Sequence, residues 1–287
     1  MAGADQITPP QTVLPQAGNS NLVLRILSSL VMAPLALGVA YVGDQVFLLF
    51  WTIAALVVLW EWDGMVCTHD KNPVFAIGSI AIVGTSLLWA MSRPVLALIL
   101  ISLGALGVST LATKVRRSWS VVGLAYAAVL LVAPVVLRAD PMFGFRVIVL
   151  VFAVVWSTDV LAYVVGRTFG GPKLIPRISP NKTWAGAIGG LAAGIGAGIA
   201  VAKYFGMEDI AAISLVAFLL SVASQSGDVL ESAVKRQFNV KDASWLIPGH
   251  GGLMDRLDGF MAASLLAVII GLAHGGAVAP GRGLLVW

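Results

Sequence analysis

The sequence predicts an all-α, polytopic integral membrane protein, and three observations support that prediction. The 287 residues are 59% hydrophobic and only 11% charged. Their mean hydropathy of +0.93 is far above the range of a soluble globular domain. Apolar stretches of about 17 to 25 residues recur along the chain, and each can cross a hydrocarbon core about 30 Å thick as a helix.

We expect about nine transmembrane helices, joined mostly by short connections. The predicted spans are residues 22–42, 46–62, 73–92, 94–112, 118–137, 145–167, 184–203, 209–229 and 259–276. Residues 1–20 precede them and are rich in polar residues, Gly and Pro, without a basic region followed by a cleavage site. This composition indicates a disordered cytoplasmic tail and not a signal peptide.

The distribution of positive charge predicts the orientation. A cytoplasmic amino terminus places 13 of the 18 Lys and Arg residues on the cytoplasmic side and five on the other side. Because cytoplasmic loops carry an excess of Lys and Arg, we expect that orientation and a multi-pass location in the inner (cytoplasmic) membrane. The single cysteine, Cys67, excludes an intrachain disulfide and a structural zinc site built of thiolates.

The two halves of the chain differ in polar content. Residues 21–140 have few charges and form a predicted transmembrane scaffold, in which Glu61 and Asp63 are expected to be solvated carboxylates at the end of span two. Residues 141–287 form the predicted catalytic region, since they include two long cytoplasmic loops, 168–183 and 230–258. Long loops in a compact bundle usually have a function.

Span seven and the loop before it have local sequence features. Gly186, Gly190, Gly194 and Gly198 recur at four-residue spacing, which on a helix makes a smooth groove for a neighbouring helix. A nucleotide-binding glycine loop would instead need a preceding strand in a soluble β/α unit. In the loop, Pro180 is expected just inside the start of span seven, with Ser179 as the N-cap.

Span six contains a polar face within an apolar helix. Asp159, Tyr163 and Arg167 follow one another at four-residue spacing and therefore share one side of the helix. A carboxylate at that depth is costly unless it is paired or faces a cavity. Two interpretations stay open, a structural pair of Asp159 with Arg167 and a functional site.

The end of span eight, "ASQSGDVLESAVKRQF", continues an apolar helix with a polar face. Ser224, Asp228, Ser232 and Lys235 share this face, and Glu231 lies beside them. Fraying of a helix into water would explain polar residues at its end. It does not explain an aspartate directly after the small residues of "SQSG", so we favour a functional role for Asp228.

The stretch "IPGHGGLMDRLDGF" places three charged residues, Asp255, Arg256 and Asp258, within four positions, after His250 and three glycines. Asp258 directly precedes span nine and is expected to be its N-cap, which leaves Asp255 without a structural role. Two carboxylates from different segments provide the hard oxygen ligands that Mg²⁺ prefers, so Asp228 and Asp255 are the predicted metal pair. His250 is expected either to donate to a phosphate oxygen or to hold the loop.

Cations surround these carboxylates and match a phosphate-rich ligand. Helix amino termini near Ser179 and Asp258 would add backbone donors. The cations are Lys182, Lys235, Arg236, Lys241 and Arg256.

The segment from Ser232 to Gly259 resembles the signature of the phosphatidate cytidylyltransferases, also called CDP-diacylglycerol synthases. The pattern is S-x-x-K-R-x4-K-D-x4-[IL]-P-G-H-G-G-x-x-D-R-x-D, and every fixed position is met. "DVLAYVVGRTFGG" and "SPNKTWAG" resemble two further family segments. Ala185 stands where many members have Glu or Gln, which argues against an essential side chain at that position.

The resemblance implies a reaction, in which CTP and phosphatidic acid give CDP-diacylglycerol and pyrophosphate. It implies a divalent metal, Mg²⁺, and a homodimer in contact with membrane lipids, with no nucleic-acid partner. A second, monovalent cation at the site is an open alternative. The carboxylates Asp228 and Asp255 match positions assigned to the metal in the family.

From residues and resemblance together, we predict two groups of site residues. The catalytic group is Asp228, Asp255, Lys235 and Arg256. The substrate-binding group is Ser179, Asn181, Lys182, Thr183, Arg236, Lys241, Asp242, His250, Asp258, Asp159, Tyr163 and Arg167.

Three other functions are alternatives to this one. A CDP-alcohol phosphotransferase would carry a D-x-x-D-G-x-x-A-R run, which is absent from the sequence. A cytidylyltransferase for an isoprenoid ether lipid needs the same nucleotide chemistry and stays open. A transporter with a polar path at Asp159 is disfavoured, since the charges concentrate in loops on one side and no inverted repeat is visible.

Overall fold

The computed structural model describes residues 20–67, 71–246, 251–276 and 279–287, with the backbone alone described for residues 20–29 and 71. The predicted tail therefore lies almost wholly outside the described residues. The described chain forms ten helices and one small hairpin. They are α1 (Ser20–Val42), α2 (Asp44–Val66), α3 (Lys71–Ala90), α4 (Pro94–Leu111), α5 (Arg117–Arg138), α6 (Gly144–Phe169), β1 (Lys173–Ile175), β2 (Ser179–Thr183), α7 (Trp184–Tyr204), α8 (Ile210–Gln237), α9 (Met254–Gly275) and α10 (Pro280–Leu285).

The predicted helical membrane bundle is confirmed. In the described part of the chain, eight helices, α2 to α9, are long and apolar enough to cross a membrane. Helix α1 coincides with the first predicted span, and its residues 30–42 form a shorter apolar helix. Because consecutive long helices are joined by short connections, they alternate in direction through the bundle.

Helix α9 lies at the centre of the bundle. It packs against α2, α5, α6, α8 and the short helix α10. A stack of aromatic rings runs through this core. Phe260 of α9 lies 4.9 Å from Trp51 of α2 and 4.6 Å from Phe152 of α6, and Phe152 lies 4.8 Å from Trp156, all between ring centroids. Such offset rings add specific packing to the area that they bury.

The glycine stripe of α7 packs against neighbouring helices, as predicted. Gly186, Gly190, Gly194 and Gly198 are all buried. A β-carbon at Gly186 would lie 2.6 Å from the Ala162 carbonyl oxygen of α6, and one at Gly198 would lie 2.5 Å from Ala217 of α8. Helix backbones can approach this closely only where side chains are absent.

The connection before α7 differs from the prediction. Residues 173–183 form an antiparallel hairpin in which Lys173 pairs with Thr183 and Ile175 with Ser179. Ser179 is therefore a strand residue and not the N-cap of span seven. The N-cap is Thr183, whose Oγ1 accepts a hydrogen bond of 3.1 Å from the Gly186 amide. Pro180 fits an edge strand because it needs no amide partner there.

The boundaries of α8 and α9 also differ from the predicted spans. Helix α8 continues to Gln237, eight residues beyond the predicted end, and α9 begins at Met254, five residues before the predicted start. Asp258 therefore lies inside α9 and is not its N-cap. The N-cap position is Leu253, which makes no side-chain capping hydrogen bond.

One end of the bundle gathers the polar segments. The end of α2 contacts the start of α5 through a hydrogen bond of 2.9 Å from Trp62 Nε1 to the Trp119 carbonyl oxygen. At the same end, Lys182 before α7 contacts Asp228 of α8, and the start of α9 contacts the end of α2. By chain direction this is the end at which α1 begins.

Candidate active site

A large cavity of about 1310 Å³ opens at this polar end of the bundle. One wall is apolar and is formed by α1, α2 and the middle of α6, with Leu35, Trp51 and Trp156 among its residues. The other wall is polar and is formed by the end of α6, the hairpin, the second half of α8 and the start of α9. The cavity thus offers an apolar surface and a charged surface in one space.

Eleven of the predicted site residues line this cavity. They come from α6, β2, α8 and α9, which are far apart in sequence, and the helix packing described above brings them together. They are Asp159, Tyr163, Arg167, Asn181, Lys182, Thr183, Asp228, Lys235, Asp255, Arg256 and Asp258.

Five predicted residues do not appear in the cavity wall. Arg236 is exposed and donates to the Val240 carbonyl oxygen at 3.1 Å, so it holds the turn after α8. Ser179, Lys241 and Asp242 lie in the surrounding hairpin and loop, outside the residues that line the cavity. His250 falls outside the described residues, and both of its proposed roles stay predictions.

Three carboxylates meet at the junction of α8 and α9, and we call Asp228, Glu231 and Asp258 the acidic trio. One oxygen from each of them lies within 4.8 Å of the other two. Two glycines allow this approach. A β-carbon at Gly227 would lie 2.7 Å from the Asp258 carbonyl oxygen, and one at Gly259 would lie 2.6 Å from Ser224 Oγ. The two helices cross closely because each aspartate of the trio has a glycine beside it.

Lys235 links the acidic trio to Asp255. Its Nζ lies 2.6 Å from Glu231 Oε2 and 2.5 Å from Asp255 Oδ1. Lys182 forms a second ion pair, with its Nζ 2.5 Å from Asp228 Oδ2. Lys235 is buried, so its charge offsets the two carboxylates in a setting where solvent screens little.

The polar face of α6, which consists of Asp159, Tyr163 and Arg167, lines the cavity. Arg167 NH1 donates a hydrogen bond of 2.7 Å to the Tyr163 hydroxyl oxygen. Within the residues that the structure describes, Arg167 forms no ion pair with Asp159. The structural Asp159–Arg167 pair is therefore absent there, and Asp159 lies open to the cavity.

Asp255 has a structural role, contrary to the expectation from the sequence. Its Oδ2 accepts hydrogen bonds from the Gly252 amide at 2.8 Å and from the Ala243 amide at 3.1 Å. Its Oδ1 is paired with Lys235. Both oxygens are thus engaged, and the side chain holds the loop that precedes α9.

Glu61 and Asp63 are buried, which makes the expectation of solvated helix-end carboxylates wrong. Their relative exposures are 1% and 0%. Glu61 Oε1 accepts from the Leu253 amide at 2.8 Å, and Oε2 accepts from the Met254 amide at 2.7 Å. Ser244 Oγ donates to Oε1 at 2.5 Å. We call Glu61 and Asp255, with the loop groups they bind, the loop clamp.

Two functional candidates were therefore missed from the sequence. Glu61 belongs to the segment read as scaffold, and its partners lie more than 180 positions away. Its signal in the sequence is its place in "WEWDGM" at the end of an apolar span, where a carboxylate is costly unless it is paired. The other is Glu231, which the sequence places beside the polar face of span eight without indicating a role for it.

The acidic trio fits a hard divalent cation. Glu231 Oε1 is buried and has no hydrogen-bond partner among the described residues. An unsatisfied carboxylate oxygen at that depth is costly, and three nearby carboxylates repel one another. Two lysines pair with members of the trio, and one of them, Lys235, is shared with Asp255, so a further cation would stabilise the cluster. Carboxylate oxygens are the ligands that Mg²⁺ takes, in small number. The predicted pair of Asp228 with Asp255 stays a prediction, and Lys235 would have to leave Oδ1 for Asp255 to join.

Comparison with known proteins agrees with the resemblance seen in the sequence. The model of the cytidylyltransferase family matches residues 23–273. A phosphatidate cytidylyltransferase of Brucella abortus biovar 1 (strain 9-941) is 42% identical over 255 residues, which cover 88% of this chain and 94% of that protein.

Two other relatives cover less of the chain. The phosphatidate cytidylyltransferase of Mycobacterium leprae (strain TN) is 45% identical over 122 residues, covering 42% of this chain and 39% of that protein. That of Staphylococcus haemolyticus (strain JCSC1435) is 45% identical over 119 residues, covering 41% and 46%. With a family match over most of its length, the chain belongs to the cytidylyltransferase family and is a nucleotidyltransferase.

Proposed function

We propose that the protein is a phosphatidate cytidylyltransferase, which converts CTP and phosphatidic acid into CDP-diacylglycerol and pyrophosphate. The observation that carries this proposal is the two-sided cavity. Its apolar wall suits the acyl chains of a membrane lipid, and its charged wall suits a nucleoside triphosphate. The family match and the Brucella relatives support the same reaction.

The chemistry is an in-line displacement at the α-phosphorus of CTP. A phosphate oxygen of phosphatidate forms the new P–O bond, and the bond to the β-phosphate breaks to release pyrophosphate. A phosphate anion is already a competent nucleophile near neutral pH, so a strong general base is not needed. Positioning and charge neutralisation then supply most of the catalysis.

The cations of the cavity wall are assigned to these tasks. Arg167, Lys182 and Arg256 line the charged wall and can bind phosphate oxygens, with Arg suited to two oxygens at once. Lys182 is held by Asp228, and Tyr163 holds the guanidinium of Arg167. These contacts fix the donors before the substrate arrives and so reduce the ordering cost of binding.

A metal requirement is part of the proposal. Asp228, Glu231 and Asp258 would hold Mg²⁺, with Asp255 as the alternative ligand predicted from the sequence. When bound, the ion would neutralise charge on the nucleotide phosphates. Lys235 would keep Glu231 and Asp255 oriented from the other side. A second, monovalent cation at the site stays an open alternative.

The reaction constrains the location of the site. CTP is soluble and phosphatidate stays in the bilayer, so the cavity has to open at a membrane surface. We assign it to the cytoplasmic face of the inner membrane, which agrees with the excess of Lys and Arg at this end. The homodimer implied by the resemblance stays a prediction, and the mass of the protein in detergent tests it.

The proposal is tested with the purified protein in detergent. With radiolabelled CTP, Mg²⁺ and phosphatidate, we expect a CDP-lipid and equimolar pyrophosphate, and we expect excess EDTA to remove both. A parallel reaction with an isoprenoid ether lipid phosphate distinguishes the remaining alternative. Product from the ether lipid alone would replace the proposed substrate, and no product under any of these conditions would refute the proposal.

A further inference from the structure

The loop clamp connects the predicted scaffold with the site. Glu61 lies near the end of α2, whereas its partners Leu253 and Met254 lie at the start of α9. The first amides of a helix have no partner within the helix and need an acceptor. Leu253 at the N-cap position provides no side-chain oxygen, so the carboxylate of Glu61 takes that role from another helix.

The helix that carries Glu61 is firmly held. Trp62 is 1% exposed and donates its indole N–H to Trp119 at the start of α5. Gly123 of α5 leaves the space that the Trp62 ring occupies, since a β-carbon there would collide with the ring. A group on such a packed element positions its partners better than one on a free loop.

Two glycines of the signature fit the loop around the clamp. Gly251 has a φ of +84°, in the region that favours glycine. A β-carbon at Gly252 would lie 2.7 Å from Glu61 Oε1, and one at Gly251 would lie 2.9 Å from Asp255 Oδ2. The backbone can approach both carboxylates because neither residue has a side chain.

We infer that Glu61 is a positioning residue for nucleotidyl transfer, which acts by fixing the start of α9 and with it Arg256 and Asp258. This inference rests on the proposed function. Arg256 lies two residues after Met254, and Asp258 lies four residues after it. A shift of the first turn of α9 therefore moves both side chains. A displacement of about 1 Å can lower a rate about a hundredfold, so we expect loss of the Glu61 contact to lower kcat.

The first test is Glu61→Gln, which keeps the size of the side chain. The side-chain oxygen of Gln can still accept hydrogen bonds. Its NH₂ group replaces the second carboxylate oxygen and cannot accept from the backbone amide that this oxygen binds. We expect kcat to fall about 10- to 100-fold, the range for groups that orient site residues, while KM for CTP and for phosphatidate changes less than about threefold. The matched control is Glu208→Gln, an exposed glutamate in the turn between α7 and α8 at the opposite end of the bundle.

A second variant tests the same contact from the loop side. Gly252→Ala places a methyl group against Glu61, and we expect a similar loss of kcat. The double variant should lose no more than the more damaged single variant, because both changes disturb the same contact between Glu61 and the loop. Multiplied losses, or a kcat within about twofold of wild type in either folded single variant, would overturn the inference.

Hydrogen exchange supplies a measurement without substrate. The amides of Leu253 and Met254 should exchange at least about tenfold faster in Glu61→Gln than in wild type, since a hydrogen bond to a charged acceptor is lost. Unchanged exchange would overturn the clamp. If the wild-type protein made no CDP-lipid, the proposed function would fail, while the exchange result would still decide whether Glu61 holds α9.

Discussion

The loop clamp and the acidic trio are both sets of buried or half-buried carboxylates at the start of α9, but their oxygens have different partners. In the clamp, Glu61 and Asp255 accept from four backbone amides and one hydroxyl, and Lys235 pairs with Asp255. In the trio, Asp228 pairs with Lys182 and Glu231 Oε2 pairs with Lys235, but Glu231 Oε1 has no hydrogen-bond partner among the described residues. One set has its charge satisfied by the protein, and the other retains capacity for a ligand.

This difference separates structural from ligand-binding carboxylates. Burial of a carboxylate is tolerated where several donors surround it, and those donors then hold the local backbone. A carboxylate that faces a cavity with an unused oxygen can bind a cation. Asp255 and Asp258 are three residues apart, yet their surroundings assign them to different sets.

The largest expected effect comes from removing the link between the two sets. Lys235→Met keeps the length of the side chain and leaves Glu231 Oε2 and Asp255 Oδ1 without their shared cation. Breaking a buried ion pair costs about 3 to 5 kcal/mol, so we expect a clear drop in the thermal midpoint together with a loss of CDP-lipid synthesis. Thermal unfolding in detergent and the radiolabel assay measure the two effects.

The control for that variant is Lys203→Met, in an exposed position at the far end of α7. It should change neither the midpoint nor the rate. If Lys235→Met kept the wild-type midpoint and raised KM alone, Lys235 would be a substrate-binding group and not the link between the two sets.

A smaller effect is expected in the packing of α7 against α6, away from both carboxylate sets. A β-carbon at Gly190 would lie 2.7 Å from the Thr158 carbonyl oxygen of α6, whereas one at Gly196 meets nothing within 4 Å. Gly190→Ala should therefore destabilise the protein by about 1 to 3 kcal/mol through overpacking. Gly196→Ala should be neutral or stabilising by up to about 1 kcal/mol.

Unfolding of the two alanine variants side by side measures this difference. Both carry the same chemical change in the same helix, so helix propensity cancels between them. Equal stability of the two variants would mean that the glycine stripe does not bring α6 and α7 together.

Much of the fold was predictable because membrane helices are encoded in local hydropathy. The predicted spans agree closely with α1 to α7, where apolar composition and helix length coincide. The predicted span that corresponds to α8 ends before the helix does, since Glu231 and Lys235 are charged residues that pair with each other inside the protein. A hydropathy profile does not show that two charged residues are paired. The predicted start of α9 is too late for the same reason, because Asp255 is charged but paired with Lys235.

The site was predictable as a set of residues, but their individual contacts were not. The signature and the four-residue spacing found eleven residues of the cavity wall. The roles of Glu61, Asp255 and Asp258 depend on contacts between distant segments, such as Glu61 with Met254. No local pattern predicts which of two neighbouring aspartates receives the loop amides of Ala243 and Gly252 and which one meets Asp228.

The most direct test of the central claim is Mn²⁺ binding to the purified protein, measured from the EPR signal of the free ion. Asp258→Asn and Asp255→Asn are matched changes on the two sides of the comparison. The account predicts that Asp258→Asn loses the tightly bound Mn²⁺ and that Asp255→Asn retains it with an affinity within about tenfold of wild type. Retention in Asp258→Asn with loss in Asp255→Asn would contradict the account and would restore the pair of Asp228 with Asp255.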